Sequence, residues 1–231
     1  MPVRKTHRGH GGLTGYLAGS RGQHGVSFES LLEKDLFNLL RYQQKITREV
    51  WSYEERPLQI SYLDAEGETH TYIPDSLVYY RSDRLPELIE VKYHAALLAL
   101  RRELMPKFQA AKALCAERGW RFRVMTERSI HIPLLEHARF FPSYLDRQHD
   151  PDDLRSVLDE FRRQGKTTVG AVLDRLAPDL TPAGRIARLD DSTMRRAQLL
   201  GVIWTLVALG FILIDLQTPP THSSAVHLWE F

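Results

Sequence analysis

A chain of 231 residues, 43% hydrophobic and 26% charged, can bury one large core or a medium one plus a small one, and its composition excludes disordered and fibrous classes. The net charge of +2 predicts little about nucleic acid by itself, because an acidic site would offset basic contacts elsewhere. One cysteine, Cys115, excludes an internal disulfide and gives no sign of a cysteine metal site, which fits a reducing cytoplasm, and no secretory signal is visible.

Residues 1–25 are rich in Gly, His and Arg and lack apolar periodicity, so they read as a flexible basic arm able to lie along phosphates, or as a loose terminus. His7 and His10 have no neighbouring acid or cysteine to complete a metal site. From Ser27 to Leu40, serines able to cap precede apolar residues at helical spacing, with Leu32, Leu36, Leu39 and Leu40 as the buried stripe. Glu33 stands at the edge of that face, where a carboxylate needs a partner. It is either a surface acid paired with a lysine, a role open equally to Glu29 or Asp35, or a contributor to a site. Val50–Glu54 and Leu58–Tyr62 read as extended segments around Arg56-Pro57, and Asp64–Glu68 turns the chain into Thr69–Tyr72. With two further strands after Tyr72, the pattern predicts a meander that carries the site on its last two strands.

Those last strands are Ser76–Tyr80 and Leu88–Lys92, separated by the turn cluster Arg81–Pro86. Period-two alternation puts Glu90 and Lys92 on one face, with Ile89 and Val91 directed to the core. Asp75 begins the first strand after Pro74, and an antiparallel return brings it beside Glu90. Tyr93–Arg118 reads as one long helix or a broken pair, with Pro106 as a kink or break and Gly119 as its end. Its basic residues Arg101, Arg102, Lys107 and Lys112 are candidates for DNA contact, or form a solvated helix face. Trp120–Glu127 is a further strand, and the crossing helix makes the sheet mixed.

The charged run Asp146–Asp153 marks the expected boundary between residues 26–148 and residues 149–231. Beyond it come a helix over Leu154–Arg163, a helix over Val169–Leu176 capped by Thr167 or Thr168, and a helix over Ser192–Leu209. Strands over Phe211–Leu216 and Ala225–Phe231 complete the chain. Three helices and a hairpin resemble a winged helix. Only Arg195 and Arg196 on its third helix are placed to reach phosphates, so protein contact is favoured over major-groove reading. The apolar run Ile203–Ile214 is shorter than the ~20 residues a bilayer requires and reads as a core helix running into a strand.

Asp75, Glu90 and Lys92 converging on one volume suit phosphodiester hydrolysis. Carboxylate oxygens are the ligands a hard cation such as Mg²⁺ takes, and a lysine beside them orients water or neutralises charge on the phosphorus oxygens. The spelling Pro74-Asp75, then Glu90-x-Lys92, resembles the PD-(D/E)xK nuclease superfamily. By itself so short a motif equally fits a turn proline and a strand salt bridge.

Four ordered segments carry a more specific resemblance: Ser30-Leu31-Leu32-Glu33-Lys34-Asp35, Glu55–Tyr62, Tyr72-Ile73-Pro74-Asp75 and Ile89-Glu90-Val91-Lys92. Together they resemble the TnsA endonuclease of heteromeric transposons over about the first 140 residues. The resemblance implies an α/β fold: a restriction-endonuclease-like mixed sheet flanked by helices, here followed by a small winged-helix-like domain. It implies catalytic roles for Glu33, Asp75 and Lys92. The Glu90 position can be glutamine in relatives; here it is Glu, able to act as a ligand, so the expected metal ligands are Glu33, Asp75 and Glu90. The implied cofactor is Mg²⁺, with Mn²⁺ as a substitute. The implied partners are double-stranded DNA at transposon ends, a TnsB-like transposase and a TnsC-like AAA+ ATPase, with no membrane, in a bacterial cytoplasm. A stand-alone restriction, repair or junction-resolving nuclease and a catalytically inactive scaffold are the alternatives.

Overall fold

The computed structural model describes residues 15–17, 26–28, 30–178 and 191–229. They divide into two compact units, one built from residues up to Leu40 with Glu49–His131, the other from Arg41–Arg48 with Ile132 onward. The expected arm of residues 1–25 lies largely outside the described residues. Within it Gly15–Leu17 (β1) forms a strand paired antiparallel with Val26–Phe28 (β2). A Cβ on Gly15 would meet the Phe28 ring at 2.4 Å, so the close approach of the two strands requires glycine there.

Helix α1 spans Leu31–Lys45, its residues up to Leu40 belonging to the first unit. Its N-terminus is set by Ser30, whose Oγ accepts the Glu33 N–H (3.1 Å) and donates to Glu33 Oε1 (3.1 Å). Leu32, Leu36, Phe37, Leu39 and Leu40 are buried, and Phe37 stacks on Tyr53 of the next strand at 6.1 Å between centroids. Five strands come next: β3 (Val50–Glu55), β4 (Ile60–Leu63), β5 (Thr69–Tyr72), β6 (Ser76–Tyr80) and β7 (Glu87–Val91). Helices α2 (His94–Ala99) and α3 (Arg101–Arg118) lead to β8 (Arg121–Met125), and α4 (Glu127–Ile130) closes the unit.

The main sheet has the order β3-β6-β7-β8, antiparallel except for the parallel pair β7/β8 that α3 connects. A mixed sheet with helices fits the restriction-endonuclease-like expectation. The predicted meander is corrected, because β4 and β5 pair only with each other and form a separate two-stranded sheet, while β3 pairs with β6. The departure is made at Arg56, whose φ of 46° turns the chain out of β3 ahead of Pro57. Its N–H donates to the Asp75 carbonyl at 3.0 Å.

β7 is buried along its whole length, so the face that carries Glu90 is covered as well as the core face of Ile89 and Val91. Leu88, at 0% exposure, shares its face with Glu90 and packs in a cluster with Ile60, Leu77, Ala111 and Cys115, the last two from α3. Each such fully buried aliphatic side chain contributes roughly 1.5–3 kcal/mol. The helical segment breaks at Leu100, with φ −102° and ψ 19°, and continues through Pro106.

In the second unit, α5 (Leu134–Phe140) and a 3-10 turn over Phe141–Tyr144 precede α6 (Pro151–Gln164), β9 (Thr167–Thr168), α7 (Val169–Leu176), α8 (Asp191–Ala208), β10 (Ile212–Ile214) and β11 (Ala225–Leu228). Thr168 caps α7, its Oγ1 accepting the Ala171 N–H at 3.2 Å. The hairpin gains a third antiparallel strand, giving the sheet order β10-β11-β9. The unit boundary lies at His131/Ile132, ahead of the 148/149 junction expected from the charged run. The reason is packing: Phe140 and Phe141 meet the Trp204 ring of α8 edge-on at 5.5 and 5.9 Å, and Thr205 Oγ1 donates to the Tyr144 carbonyl.

Candidate active site

The hairpin β6/β7 puts the expected residues together through its register. Ser76 pairs with Ile89, and one step beyond, the Asp75 N–H donates to the Ile89 carbonyl at 3.1 Å. Asp75 therefore sits across from Glu90. Its Oδ2 accepts the Val91 N–H at 2.6 Å, which ties the carboxylate to the neighbouring strand. Pro74, itself buried, fixes the backbone that leads into it. Lys92 continues β7 by donating its N–H to the Met125 carbonyl at the end of the parallel ladder.

Glu90 is 2% exposed, and two ammonium groups meet its Oε1: Lys92 Nζ at 3.0 Å and Lys107 Nζ at 3.2 Å. A buried carboxylate without such partners would be strongly disfavoured. Asp75 is driven well above the usual carboxylate range, first by burial and then by the negative charges of Glu90 and Glu33. Burial pulls the Lys92 ammonium down, but Glu90, Asp75 and Glu33 outweigh it and raise it, so Lys92 is a cation at neutral pH. That each of these groups responds to Glu33 places the helix acid within electrostatic reach of the pair. Asp75, Glu90 and Lys92 thus converge at the start of β6 and the end of β7, with Glu33 in the first turn of α1 acting on them electrostatically.

The arrangement can hold a hard cation through carboxylate oxygens, and mutual repulsion among the acids is the physical reason one would be taken up. The three carboxylates are nevertheless turned to other partners: Asp75 to Val91, Glu33 to Ser30, Glu90 to two lysines. Among the described residues, the one trio with all ligand atoms within 4.8 Å is Asp64, Glu68 and His70. It lies on the exposed β4–β5 turn, where Asp64 Oδ1 accepts the Glu66 and Glu68 N–H groups and Oδ2 meets His70 Nε2 at 2.6 Å. Those bonds close the hairpin and account for the cluster.

The expected DNA contacts divide. Arg101 and Arg102 are exposed and line an open groove of about 480 Å³ with Ala65, Met105, Pro106 and Gln109. Lys107 is corrected: its side chain is 14% exposed and bonds to Glu90, with Nζ 5.1 Å from the centroid of the Tyr72 ring. Arg195 and Arg196 are engaged inside the second unit, the first with Asp153 at 2.5 Å, the second with the Ala177 carbonyl at 2.7 Å and Asp174 at 2.8 Å.

Three residues in this region escape a reading of the motif alone. Lys107 is legible in helical spacing, since it stands three after Leu104 and four before Ala111, both buried on α3. Glu87, 1% exposed, accepts from Tyr80 Oη (2.8 Å), Arg84 (2.9 Å) and Arg123 (3.4 Å). Glu127 accepts the His94 N–H at the start of α2 (2.9 Å), a bond that lowers its carboxyl below the usual value.

Residues 47–127 match the family model described as TnsA-like endonuclease N terminal. The match includes Asp75, Glu90, Lys92 and Lys107 and leaves Glu33 outside it. No curated protein matches the chain.

Proposed function

From the match of residues 47–127 to the TnsA-like endonuclease N-terminal model, we propose a Mg²⁺-dependent endonuclease subunit of a heteromeric transposase. It hydrolyses a phosphodiester at the 5′ ends of a transposon, with a TnsB-like recombinase cutting and joining the 3′ ends and a TnsC-like AAA+ regulator as second partner. The observation that carries this reading is the convergence of Asp75, Glu90 and Lys92 on adjacent strands with Glu33 in electrostatic reach.

In this mechanism Glu33, Asp75 and Glu90 would hold the cation, which would supply polarisation of the phosphate and a lowered pKa for the attacking water. Asp75 is oriented by the Val91 N–H and Glu33 by the Ser30 hydroxyl, so two ligands are positioned by the strand and helix that carry them. Lys92, protonated, sets its charge against the oxygens of the reacting phosphate as negative charge builds there. Arg101 and Arg102 on the exposed groove supply phosphate contacts, which position DNA without reading its sequence.

For the second unit we propose a winged-helix module. The order helix, strand, helix, helix, strand, strand, with the last strand between the other two, supports it. Because Arg195 and Arg196 are internally paired, its third helix is assigned to protein contact.

The test is cleavage of transposon-end DNA in Mg²⁺ by the chain alone, by the chain with its recombinase partner, and by Asp75→Ala with that partner. Cutting at 5′ ends that needs the partner and falls by about 100-fold or more in Asp75→Ala is the expected result. Asp75-dependent cutting without a partner assigns the chain to stand-alone nucleases, and cutting that ignores Asp75 overturns the site.

A further inference from the structure

Two lysines share one oxygen of one buried carboxylate, and the proposed mechanism uses only the first. Lys92 ends the strand that carries Glu90, whereas Lys107 comes from α3, seventeen residues away, whose Leu104, Phe108, Ala111 and Cys115 are buried. Lys107 is also the more enclosed, 14% exposed against 31% for Lys92. Its ammonium lies 5.1 Å from the Tyr72 ring centroid and 5.6 Å from that of Phe108, so aromatic faces hold it as well as Glu90. A lysine meant for phosphates would extend into solvent; this one is folded inward.

We infer that Lys107 is a positioning residue that holds Glu90 through Oε1, freeing Lys92 to exchange its bond to Glu90 for the reacting phosphate. This rests on the nuclease reading of the site. Three acids, Glu90, Asp75 and Glu33, act on Lys92, and Glu90 also meets Lys107. When Lys92 turns to substrate, Glu90 would be left as an unpaired buried anion without Lys107. The ammonium contacts of Lys92 and Lys107 both fall on Oε1. Lys107 thus fixes which oxygen Glu90 offers to a cation, and it moderates the site's negative charge.

Removing Lys107 therefore has opposite effects on binding and turnover. Lys107→Met leaves the site more acidic, so Mn²⁺ binding, measured by calorimetry on the full chain without DNA, tightens by about threefold or more. Glu90 loses its fixed orientation, so single-turnover cutting in Mg²⁺ slows by about tenfold or more. DNA affinity stays within about twofold, since no phosphate contact is lost. Lys107→Arg restores both values part of the way.

The decisive comparison is made in a Glu90→Gln background, where Lys107 has no anion to hold. Adding Lys107→Met there slows single-turnover cutting no further and tightens Mn²⁺ binding by less than it does beside Glu90; the unchanged cutting remains informative if the single Lys107→Met chain fails to fold. Equal effects with and without Glu90, weaker Mn²⁺ binding in Lys107→Met, or a loss of DNA affinity with a shallower salt dependence would each overturn the inference. If the wild-type chain does not cut transposon-end DNA even with its recombinase partner, the nuclease reading fails, while the Mn²⁺ comparison still reports on the Lys107–Glu90 link.

Discussion

Glu87 shows how a buried acid can stabilise the hairpin that carries the site. Burial pushes its carboxyl up, but bonds from Arg84 and Tyr80 and the charges of Arg84 and Arg123 hold it below the ordinary value. A depressed pKa contributes stability above the unfolded value of about 4.3, lost as pH falls through the folded one. Glu87→Gln is expected to cost about 1–2 kcal/mol at neutral pH. Chemical denaturation along a pH series should show the wild-type advantage shrinking as pH drops below about 4. An advantage that persists in acid would assign Glu87 a packing role. At this scale the acids were legible because a period of two fixes sides: Glu90 and Lys92 two apart, Asp75 one step past a strand start. Glu87 escaped because the predicted strand began at Leu88. Lys107 escaped because a basic residue on a helix reads as solvated unless the buried stripe beside it is weighed first.

Among the elements, α3 brings Lys107 to the site that the β6/β7 hairpin assembles, and its end is set by backbone alone. Gly119 has φ 67°, its N–H caps the Cys115 carbonyl, and nothing lies within 4 Å of where a Cβ would stand. Gly119→Ala therefore meets no clash, and its expected cost of about 1 kcal/mol is entirely the left-handed backbone. Urea titration measures it; a neutral result would show that the cap relaxes. Gly119 was readable as the helix end, just as Thr168 was readable as a cap. Strand partnership was not. Nothing local to Leu58–Tyr62 says that it pairs with β5 alone, because pairing is decided between distant segments, and the turn at Arg56 uses a left-handed conformation a sequence gives little reason to expect at arginine.

For the whole molecule, the unit boundary has a direct consequence for truncation. Phe140, Phe141 and Tyr144 meet α8 through ring contacts and the Thr205 hydroxyl, and His137 Nε2 contacts the Thr218 carbonyl at 2.7 Å. A fragment beginning at Ile132 keeps these, while one beginning at His149 exposes the Trp204 ring they cover. The longer fragment should show more helix by circular dichroism and a higher melting temperature; equal melting would place the boundary at the charged run. Charge and proline runs mark where a chain leaves secondary structure, but only contacts decide which side a helix joins. No helix among the described residues is long and apolar enough to cross a membrane, as the short apolar run of α8 led one to expect.

The order of the main sheet also bears on self-association. β8 is paired on one side, with β7, and among the described residues its other side meets no strand. An open strand edge is a template on which a second copy of the chain can add its own strand. Here the edge strand carries exposed Arg121 and Arg123, alternating with half-buried Phe122 and Val124. Two copies approaching edge to edge would bring like charges together before any backbone bond formed. Arg121 and Arg123 thus set charge against such pairing, and Arg123 is also tied to Glu87 of β7.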